Sequence, residues 1–176
     1  MLNRVAAVVT QDNINQIGYF IDFCEELGIN LKLFDMYATP ETKEIWNQHY
    51  EFLNQMKKEI ETRATSIRQI TYTQSFGIPS LEYQTKGGIT VRVKDSMSGT
   101  RYNRNLCSEC VSLPCQEGLY TILYSSNQKL IPCRLSPIHF EADTPEEFRE
   151  NLKYLIGVFQ KADHENKFWE NGKQKL

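Results

Sequence analysis

Three features that point to common classes of protein are missing from this sequence of 176 residues. No apolar run is long enough to cross a membrane, and no run of lysine or arginine exceeds two residues. The formal net charge of −2 likewise argues against a surface that attracts nucleic acid or membranes. The chain also opens without a secretory signal, so a cytoplasmic protein with no nucleic-acid or membrane partner is expected.

The signatures of ordinary hydrolases and kinases are absent as well. The three histidines fall on different predicted elements, so no Ser-His-Asp or Cys-His arrangement is indicated. No glycine-rich phosphate loop is present, because Gly87 and Gly88 are accounted for by a hairpin turn. With 40% hydrophobic and 11% aromatic residues, the chain has the composition of an ordered globular protein.

Cysteine, in contrast, is concentrated in one stretch. Four of the five cysteines follow the pattern C-x2-C-x4-C-x17-C, namely Cys107, Cys110, Cys115 and Cys133. A Cys-x-x-Cys pair can turn two sulfurs toward one ion, and later cysteines can then close the site. The spacing therefore indicates a soft-metal site, although it does not choose the metal.

The segment before Cys133 predicts how the site closes. Residues 119–124 and 130–132 are typical of two strands, and the polar residues between them are typical of a turn. This hairpin would carry Cys133 back beside the Cys107–Cys110 pair.

The four cysteines are compatible with more than one chemistry. Zinc in a tetrahedral cage and an iron–sulfur cluster both use four thiolates. Disulfide bonds would need an oxidising compartment, and the odd number of cysteines argues against complete pairing. Four unliganded core cysteines are a further alternative, in a stretch that is rich in Ser, Pro and Glu.

The first part of the chain predicts a βαβ unit. Residues 5–9 and 31–36 form two apolar runs that are typical of buried strands. Between them, apolar residues recur at helical spacing up to Gly28, which is placed to end the helix. The two strands of a βαβ unit are parallel, and its crossover is right-handed in nearly all proteins, so both properties are expected here. Cys24 lies on the apolar stripe, so core packing is its expected role.

One long helix is predicted next, over residues 41–61. Its apolar residues repeat at helical spacing, and Pro40 suits a helix start. His49 lies within that apolar stripe and is expected to be a packed core histidine rather than a metal ligand.

A small antiparallel sheet and a closing helix complete the predicted elements. Segments at 67–73, 81–85 and 89–94 alternate in twos, which is typical of half-buried strands. Asp143 or Thr144 can cap the closing helix, and a polar tail follows it.

This order of elements resembles the C-terminal half of radical SAM enzymes. The greatest similarity is to the MoaA-like group, the molybdenum cofactor biosynthesis protein A family. Residues 3–9 resemble a late barrel strand of that family, and residues 31–36 resemble the next strand. The sequences CQEGLY at 115–120 and KLIPC at 129–133 also resemble a MoaA-like subgroup.

The resemblance implies a cofactor. Cys107, Cys110 and Cys133 resemble the three thiolates that hold the family's auxiliary 4Fe-4S cluster. Cys115 would add a fourth thiolate. Zinc remains the alternative metal.

The resemblance also implies an α/β (α+β) fold class. A partial TIM-type barrel βαβ unit would be followed by a small antiparallel sheet with a cysteine knuckle and a C-terminal helix. Residues 1–64 would form the barrel part, residues 65–140 the auxiliary cluster region, and residues 141–176 the C-terminal helix and polar tail.

Two departures from the family pattern limit the function that is implied. The C-x3-C-x2-C motif, whose cluster cleaves S-adenosylmethionine, is absent, so that cofactor is expected only in an intact enzyme. Where the family has an arginine-rich stretch that grips GTP, this chain has Val111, Ser112 and Leu113, so GTP is not implied as the substrate.

The function predicted from the sequence is that of one portion of a MoaA-like lyase or cyclase, inactive in isolation. The portion would bind the auxiliary cluster and contribute to substrate binding or electron relay. Its partner would be an N-terminal radical SAM half, or a second copy that pairs through the open barrel edge. The alternative is a noncatalytic four-cysteine module that binds zinc or another protein.

Five further residues are candidates for binding a substrate. In a barrel, chemistry gathers at the carboxyl ends of the strands, which selects Thr10 and Asp35. Arg101, Arg104 and Arg134 are near the cysteines in sequence and can pair with an anionic substrate. Structural or solvated roles are the alternative for each of them.

Overall fold

The first two strands are joined as the sequence predicts. Strands β1 (Arg4–Val9) and β2 (Asn30–Asp35) run parallel, connected by a 3-10 turn (Ile14–Gln16) and helix α1 (Ile17–Leu27). Gly28 follows α1 with a φ of 64°, the left-handed conformation that glycine adopts without strain. The βαβ unit is therefore confirmed. The computed structural model describes residues 4–36, 39, 41–70, 79–96, 101–107, 110, 115 and 117–161.

Two helices occupy the segment for which the sequence predicts one. Helix α2 (Lys43–His49) and helix α3 (Asn54–Arg63) are separated at Tyr50, whose ψ of 136° is extended rather than helical. The break changes which residues face the core, so Ile45 and Phe52 are about half exposed. The buried residues of this segment are Trp46, Leu53, Met56 and Ile60.

The prediction that His49 packs in the core is wrong. Its side chain is 39% exposed, and its Nδ1 lies 2.7 Å from Asp12 Oδ2. The helix break at Tyr50 places His49 at the end of α2, beside the turn that follows β1, rather than on a continuous apolar stripe.

Three antiparallel strands are present where the sequence predicts them, but they join the βαβ unit; residues 71–73 of the first predicted strand lie outside the described residues. Strands β3 (Ala64–Ile70), β4 (Ser80–Thr85) and β5 (Thr90–Lys94) pair antiparallel in sequence order. Strand β5 also pairs parallel with β2, with Leu31 opposite Val91. The result is one mixed sheet in the order β1-β2-β5-β4-β3. This sheet includes strands from both sides of residue 64, where the sequence analysis places the end of the barrel part. The described strands make an open sheet rather than a closed barrel.

One face of this sheet carries the main hydrophobic core. Alternate residues of β2 and β5 point into it, and α1 and α3 cover it. Cys24 is 2% exposed within this core, as the apolar stripe predicts. The core residues include Val9, Ile17, Ile21, Leu31, Leu33, Met56, Ile60, Tyr83, Val91 and Val93.

A second, smaller unit surrounds the cysteines. Strands β6 (Leu123–Tyr124), β7 (Lys129–Ile131) and β8 (Phe140–Glu141) form an antiparallel sheet. Helix α4 (Arg104–Cys107) precedes it, and helix α5 (Pro145–Gln160) packs against it. The buried residues of this second core are Leu106, Leu119, Leu130, Ala142 and Leu155.

Helix α5 begins with the cap that the sequence predicts. Thr144 accepts a hydrogen bond from the Glu147 amide, and the Glu147 carboxylate accepts one from the Thr144 amide. Residues 162–176 of the predicted polar tail lie outside the described residues. In the part of the chain that the structure describes, no helix has both the length and the apolar character needed to cross a membrane.

Candidate metal centre

One small cavity is lined by four cysteines, which are spread over 27 residues of the sequence. Cys107, Cys110, Cys115 and Cys133 contribute to the wall of a space of about 30 Å³. The rest of the wall is largely apolar and includes Tyr102, Leu106, Leu119 and Leu135. Of all the sequence-predicted residues, these four cysteines are brought together most clearly.

Local structure explains how the first pair meets. Cys107 is the last residue of α4, which Leu106 anchors in the second core. The amide of Cys110 donates a hydrogen bond to the carbonyl oxygen of Cys107 at 3.1 Å. This bond across three residues closes a turn, as a Cys-x-x-Cys pair requires.

The later cysteines flank the hairpin. Strands β6 and β7 pair with Leu123 opposite Ile131, and Cys133 follows two residues after β7. The predicted hairpin is therefore present, and it leads Cys133 back to the cavity that Cys107 lines. Cys115 precedes β6, and its Sγ accepts a hydrogen bond from the Gly118 amide at 3.3 Å.

The four thiols are close enough to influence one another electrostatically. Burial is the main reason that the pKa of Cys107 is raised to about 12; a backbone hydrogen bond at Asn103 acts in the opposite direction, and charge on Cys115, Cys110 and Cys133 acts in the same direction as burial. Burial is also the main reason that the pKa of Cys133 is raised, followed by Cys115 and Cys110. Without a cation, a cavity of this kind favours neutral thiols. A bound metal cation reverses that preference, because it stabilises thiolates.

The cysteines share this cavity without standing at ligand distances around one point. Among the residues that the structure describes, no three His, Cys, Asp or Glu side chains are arranged so that they could hold a metal ion as they stand. All five cysteines are free thiols. We expect the cysteine side chains to rotate toward a metal when they are deprotonated.

The donor set nevertheless fits a soft metal. Four thiols in an apolar cavity, with a backbone amide directed at one sulfur, are the groups that zinc and iron–sulfur centres use. The residues that would hold either group are Cys107, Cys110, Cys115 and Cys133.

Two of the three predicted arginines lie at or beside this cavity. Arg134 donates a hydrogen bond to the Glu117 carboxylate, which is 7% exposed, and both line a neighbouring cavity of about 100 Å³ that Cys133 also lines. Arg101 lines the cysteine cavity and donates to the carbonyl oxygen of Phe159 at the end of α5. Arg104 is exposed on α4.

The predicted strand-end residues lie at another place, the carboxyl edge of the large sheet. Thr10 follows β1 and is used by a turn, since its amide donates to Asn13 Oδ1 at 2.9 Å. Asp35 ends β2 and is fully buried. Its carboxylate accepts from the amide and hydroxyl of Ser96, with the Tyr50 hydroxyl 3.5 Å away. Asp35 therefore has a hydrogen-bonded structural role and is not solvated.

Burial makes Asp35 unusual electrostatically. The pKa of this carboxyl group is raised to about 7, chiefly by burial and also by the charge of the nearby Asp95, while the hydrogen bond from the Ser96 side chain acts in the opposite direction. Asp95 is itself 3% exposed and forms an ion pair with Lys57 of α3. Two buried carboxyl groups thus lie at the ends of the adjacent parallel strands β2 and β5.

Four residues of this region were not predicted from the sequence as site residues, namely Lys57, Lys94, Asp95 and Ser96. The rule that chemistry gathers at carboxyl ends of parallel strands would have found Asp95 and Ser96, but the sequence predicts that β5 belongs to a separate antiparallel sheet. Lys94 lies near both regions: burial lowers its pKa, and the charges of Glu117, Cys115 and Asp35 all act in the opposite direction.

Comparison with known proteins adds no assignment. No protein-family model matches this chain, and no curated protein matches it. Function is therefore argued from the cysteine cavity and its surroundings.

Proposed function

We propose that this chain is the C-terminal portion of a MoaA-like radical SAM protein and that it binds an auxiliary 4Fe-4S cluster. One observation carries the proposal: four cysteines in a C-x2-C-x4-C-x17-C pattern line one apolar cavity. The resemblance of the same cysteines to the auxiliary-cluster ligands of that family supports iron and sulfide over other occupants. The Cys-x-x-Cys turn and the returning hairpin are the elements that such a site needs.

The surrounding residues have defined roles in this proposal. A bound cluster would supply an open iron for substrate if three thiolates hold it, or electron transfer if four do. Leu106 and Leu119 exclude water from the sulfurs, and the Gly118 amide donates to Cys115. Glu117 holds Arg134 beside Cys133, where its guanidinium can face an anionic substrate. Radical chemistry is not expected from this chain alone.

Zinc in the same four thiolates is the rival, and it would make the chain a noncatalytic module. The observation that favours zinc is the ligand set, since four thiols around one cavity are the donors of a tetrahedral zinc cage. Metal analysis separates these two proposals.

The first test is anaerobic purification followed by reconstitution with iron and sulfide. We expect a brown protein with about four iron and four sulfide per chain and broad absorption near roughly 400 nm. A colourless protein that holds about one zinc ion and takes up no iron would favour the rival. The Cys107→Ala variant should lose most of its iron, because it removes one thiolate of the Cys-x-x-Cys pair.

Matched cysteine variants decide which thiolates are ligands. Cys24→Ala is the control, because Cys24 is buried in the other core and lies outside the cysteine cavity. It should keep the iron content of the unaltered chain. Cys115→Ala should lose more than half of the iron if four thiolates bind, and should keep it if three suffice. Equal iron in the Cys107→Ala and Cys24→Ala proteins would contradict the proposal.

The same proposal includes a partner that pairs with the edge strand β1. In the described part of the sheet β1 is an edge strand, and a groove of about 250 Å³ runs along it between Val5, Ala7 and the aromatic side chains of α1. Tyr19 and Phe23 are 68% and 46% exposed there. An open edge beside apolar surface is typical of a pairing surface. In the absence of the radical SAM half, we expect two copies to associate through it.

Sedimentation velocity over a range of concentrations tests this association. The Phe23→Asp variant should remain monomeric at concentrations where the unaltered chain dimerises. Ile156→Asp is the control, because Ile156 is about as exposed as Phe23 and does not line the groove along β1. An unaltered chain that stays monomeric at every concentration would refute pairing through β1.

A further inference from the structure

The face of the large sheet opposite the hydrophobic core carries a cluster of basic side chains. In β2, Leu31 and Leu33 point into the core, so Lys32 points to the opposite face. In β5 the same alternation places Arg92 and Lys94 on that face. Local sequence does not reveal this cluster, because its members are about 60 residues apart along the chain.

Strand pairing brings the three cations close together. Lys32 is the register partner of Arg92, and Phe34 is the register partner of Lys94. Neighbouring strands lie about 4.8 Å apart, and residues two positions along a strand are about 6.6 Å apart. Three cationic side chains therefore originate within about 9 Å of one another. The Lys32 Nζ lies 5.6 Å from the centre of the Phe34 ring, within this group.

Negative charge is scarce on this face. Across the five described strands it carries Arg4, Lys32, Arg68, Arg92 and Lys94, while Glu82 is the only acid on it. The Glu82 carboxylate is shared between two of the cations: it forms an ion pair with Arg68, and its Oε1 lies 3.7 Å from Arg92 Nε. The chain as a whole has a net charge of −2, so the positive charge here is local.

The cations on this face influence one another electrostatically. Burial lowers the pKa of Lys32, and the charges of Arg92 and Arg4 lower it further. Burial lowers the pKa of Lys94 too, followed by Lys32, whereas Glu117, Cys115 and Asp35 act in the opposite direction. Like charges held together at half-buried positions are destabilising, and a bound anion would offset that effect.

We propose that Lys32, Arg92 and Lys94 form a binding site for a small dianion, such as a molecule that carries a phosphate group or two carboxylates. The span of the three cations matches one phosphate or pyrophosphate group. A nucleic acid is disfavoured as the ligand, because the chain as a whole has a net charge of −2. This inference goes beyond the proposed cluster, because the cysteines take no part in holding the anion.

Calorimetric titration of the purified chain at low ionic strength tests the site. The probes are sodium pyrophosphate, inorganic phosphate and malonate, and salt is kept low because screening weakens such contacts. We expect at least one of them to bind. Tighter binding of the phosphates indicates a phosphorylated ligand, and tighter binding of malonate indicates a dicarboxylate. If none of the three probes binds, the proposal is overturned. Binding of an oligonucleotide in the absence of binding by the three probes would likewise overturn it.

Charge-removing variants locate the anion. Lys32→Gln and Lys94→Gln should each weaken binding by about tenfold, the usual effect of losing one charge-assisted contact. Arg92 is left unchanged, because it also bonds Ser80 and Glu82. Arg149→Gln is the control, since Arg149 is exposed on α5 and its loss changes net charge equally. Equal weakening by all three variants overturns the proposal.

A second measurement uses the unaltered chain and so does not depend on the folding of variants. Pyrophosphate should slow the acylation of Lys32 and Lys94 by an amine-reactive ester, followed by mass spectrometry of peptides. Lys58 and Lys153 are exposed internal controls and should react at the same rate with and without the probe. Equal slowing at all four lysines, or at none, overturns the proposal. A negative result leaves the cluster proposal untouched, because iron content is measured separately.

Discussion

Replacing Lys57 by methionine should lower the free energy of unfolding by about 3 kcal/mol, because it leaves Asp95 buried without its cation. The side chain of Asp95 is 4% exposed and that of Lys57 is 16% exposed, so water screens this ion pair little. Methionine keeps the aliphatic length of lysine, which limits the packing change. Urea denaturation followed by circular dichroism measures the effect.

The control for this prediction lies one residue away. Lys58 is exposed on the same helix, and Lys58→Met should change the free energy of unfolding by less than about 0.5 kcal/mol. The double variant Lys57→Met with Asp95→Asn should recover more than about 1 kcal/mol relative to Lys57→Met, because the buried charge is gone. A Lys57→Met protein as stable as the Lys58→Met protein would show that the ion pair contributes nothing.

The second large effect is a pH dependence of stability that arises from Asp35. Its pKa is raised to about 7 in the folded protein, whereas an unfolded aspartate has a pKa near about 3.8. The folded state therefore holds the proton more tightly. The stability associated with this proton is fully present below about pH 4 and is lost as the pH rises through about 7, by roughly 4 kcal/mol in total.

Asp35→Asn should remove this dependence. Asparagine is uncharged, and its side-chain oxygen can still accept from the Ser96 amide and hydroxyl. The stability of the variant relative to the unaltered protein should therefore rise between pH 4 and pH 8, measured by urea denaturation at several pH values. Asp22→Asn controls for the loss of one negative charge, because the Asp22 side chain is 62% exposed. A difference between Asp35→Asn and the unaltered protein that stays constant with pH would contradict the assignment.

These two predictions concern one structural feature, the carboxyl edge where β2 and β5 end side by side. Asp35 and Ser96 join the ends of the two strands directly, and Asp95 and Lys57 tie α3 to the same edge. Buried polar groups of this kind stabilise the fold only when all of them are satisfied. We therefore expect the effects of substitutions at Asp35, Lys57 and Asp95 on the free energy of unfolding to be non-additive, as double-variant cycles would measure.

Local pattern was sufficient for much of the fold. The spacing of Ile17, Ile21 and Cys24 identified α1, and Gly28 marked its end. Thr144 was one of the two predicted caps of α5. These features depend on residues within one or two turns of each other, where periodicity and capping act.

Two local predictions failed for a related reason. The apolar residues of 41–61 have helical spacing, but Tyr50 adopts an extended backbone and the helix divides there. The Tyr50 hydroxyl lies 3.5 Å from Asp35 Oδ2, and the carbonyl oxygen of Tyr50 accepts a hydrogen bond from the side chain of Gln11. Contacts with residues far away in sequence thus outweigh local helix preference, and they also displace His49 from the core.

For the candidate site, sequence alone determined which residues could act as soft-metal ligands, because the thiol is an unambiguous donor and four cysteines are spaced for a turn and a hairpin. Tertiary structure decided that Cys107, Cys110, Cys115 and Cys133 line a single cavity. It also decided that β5 pairs with β2, which puts Lys94 near Lys32 and Ser96 against Asp35. Strand alternation is readable along a chain, but the choice of neighbouring strand depends on packing between distant segments, and only the folded chain contains that information.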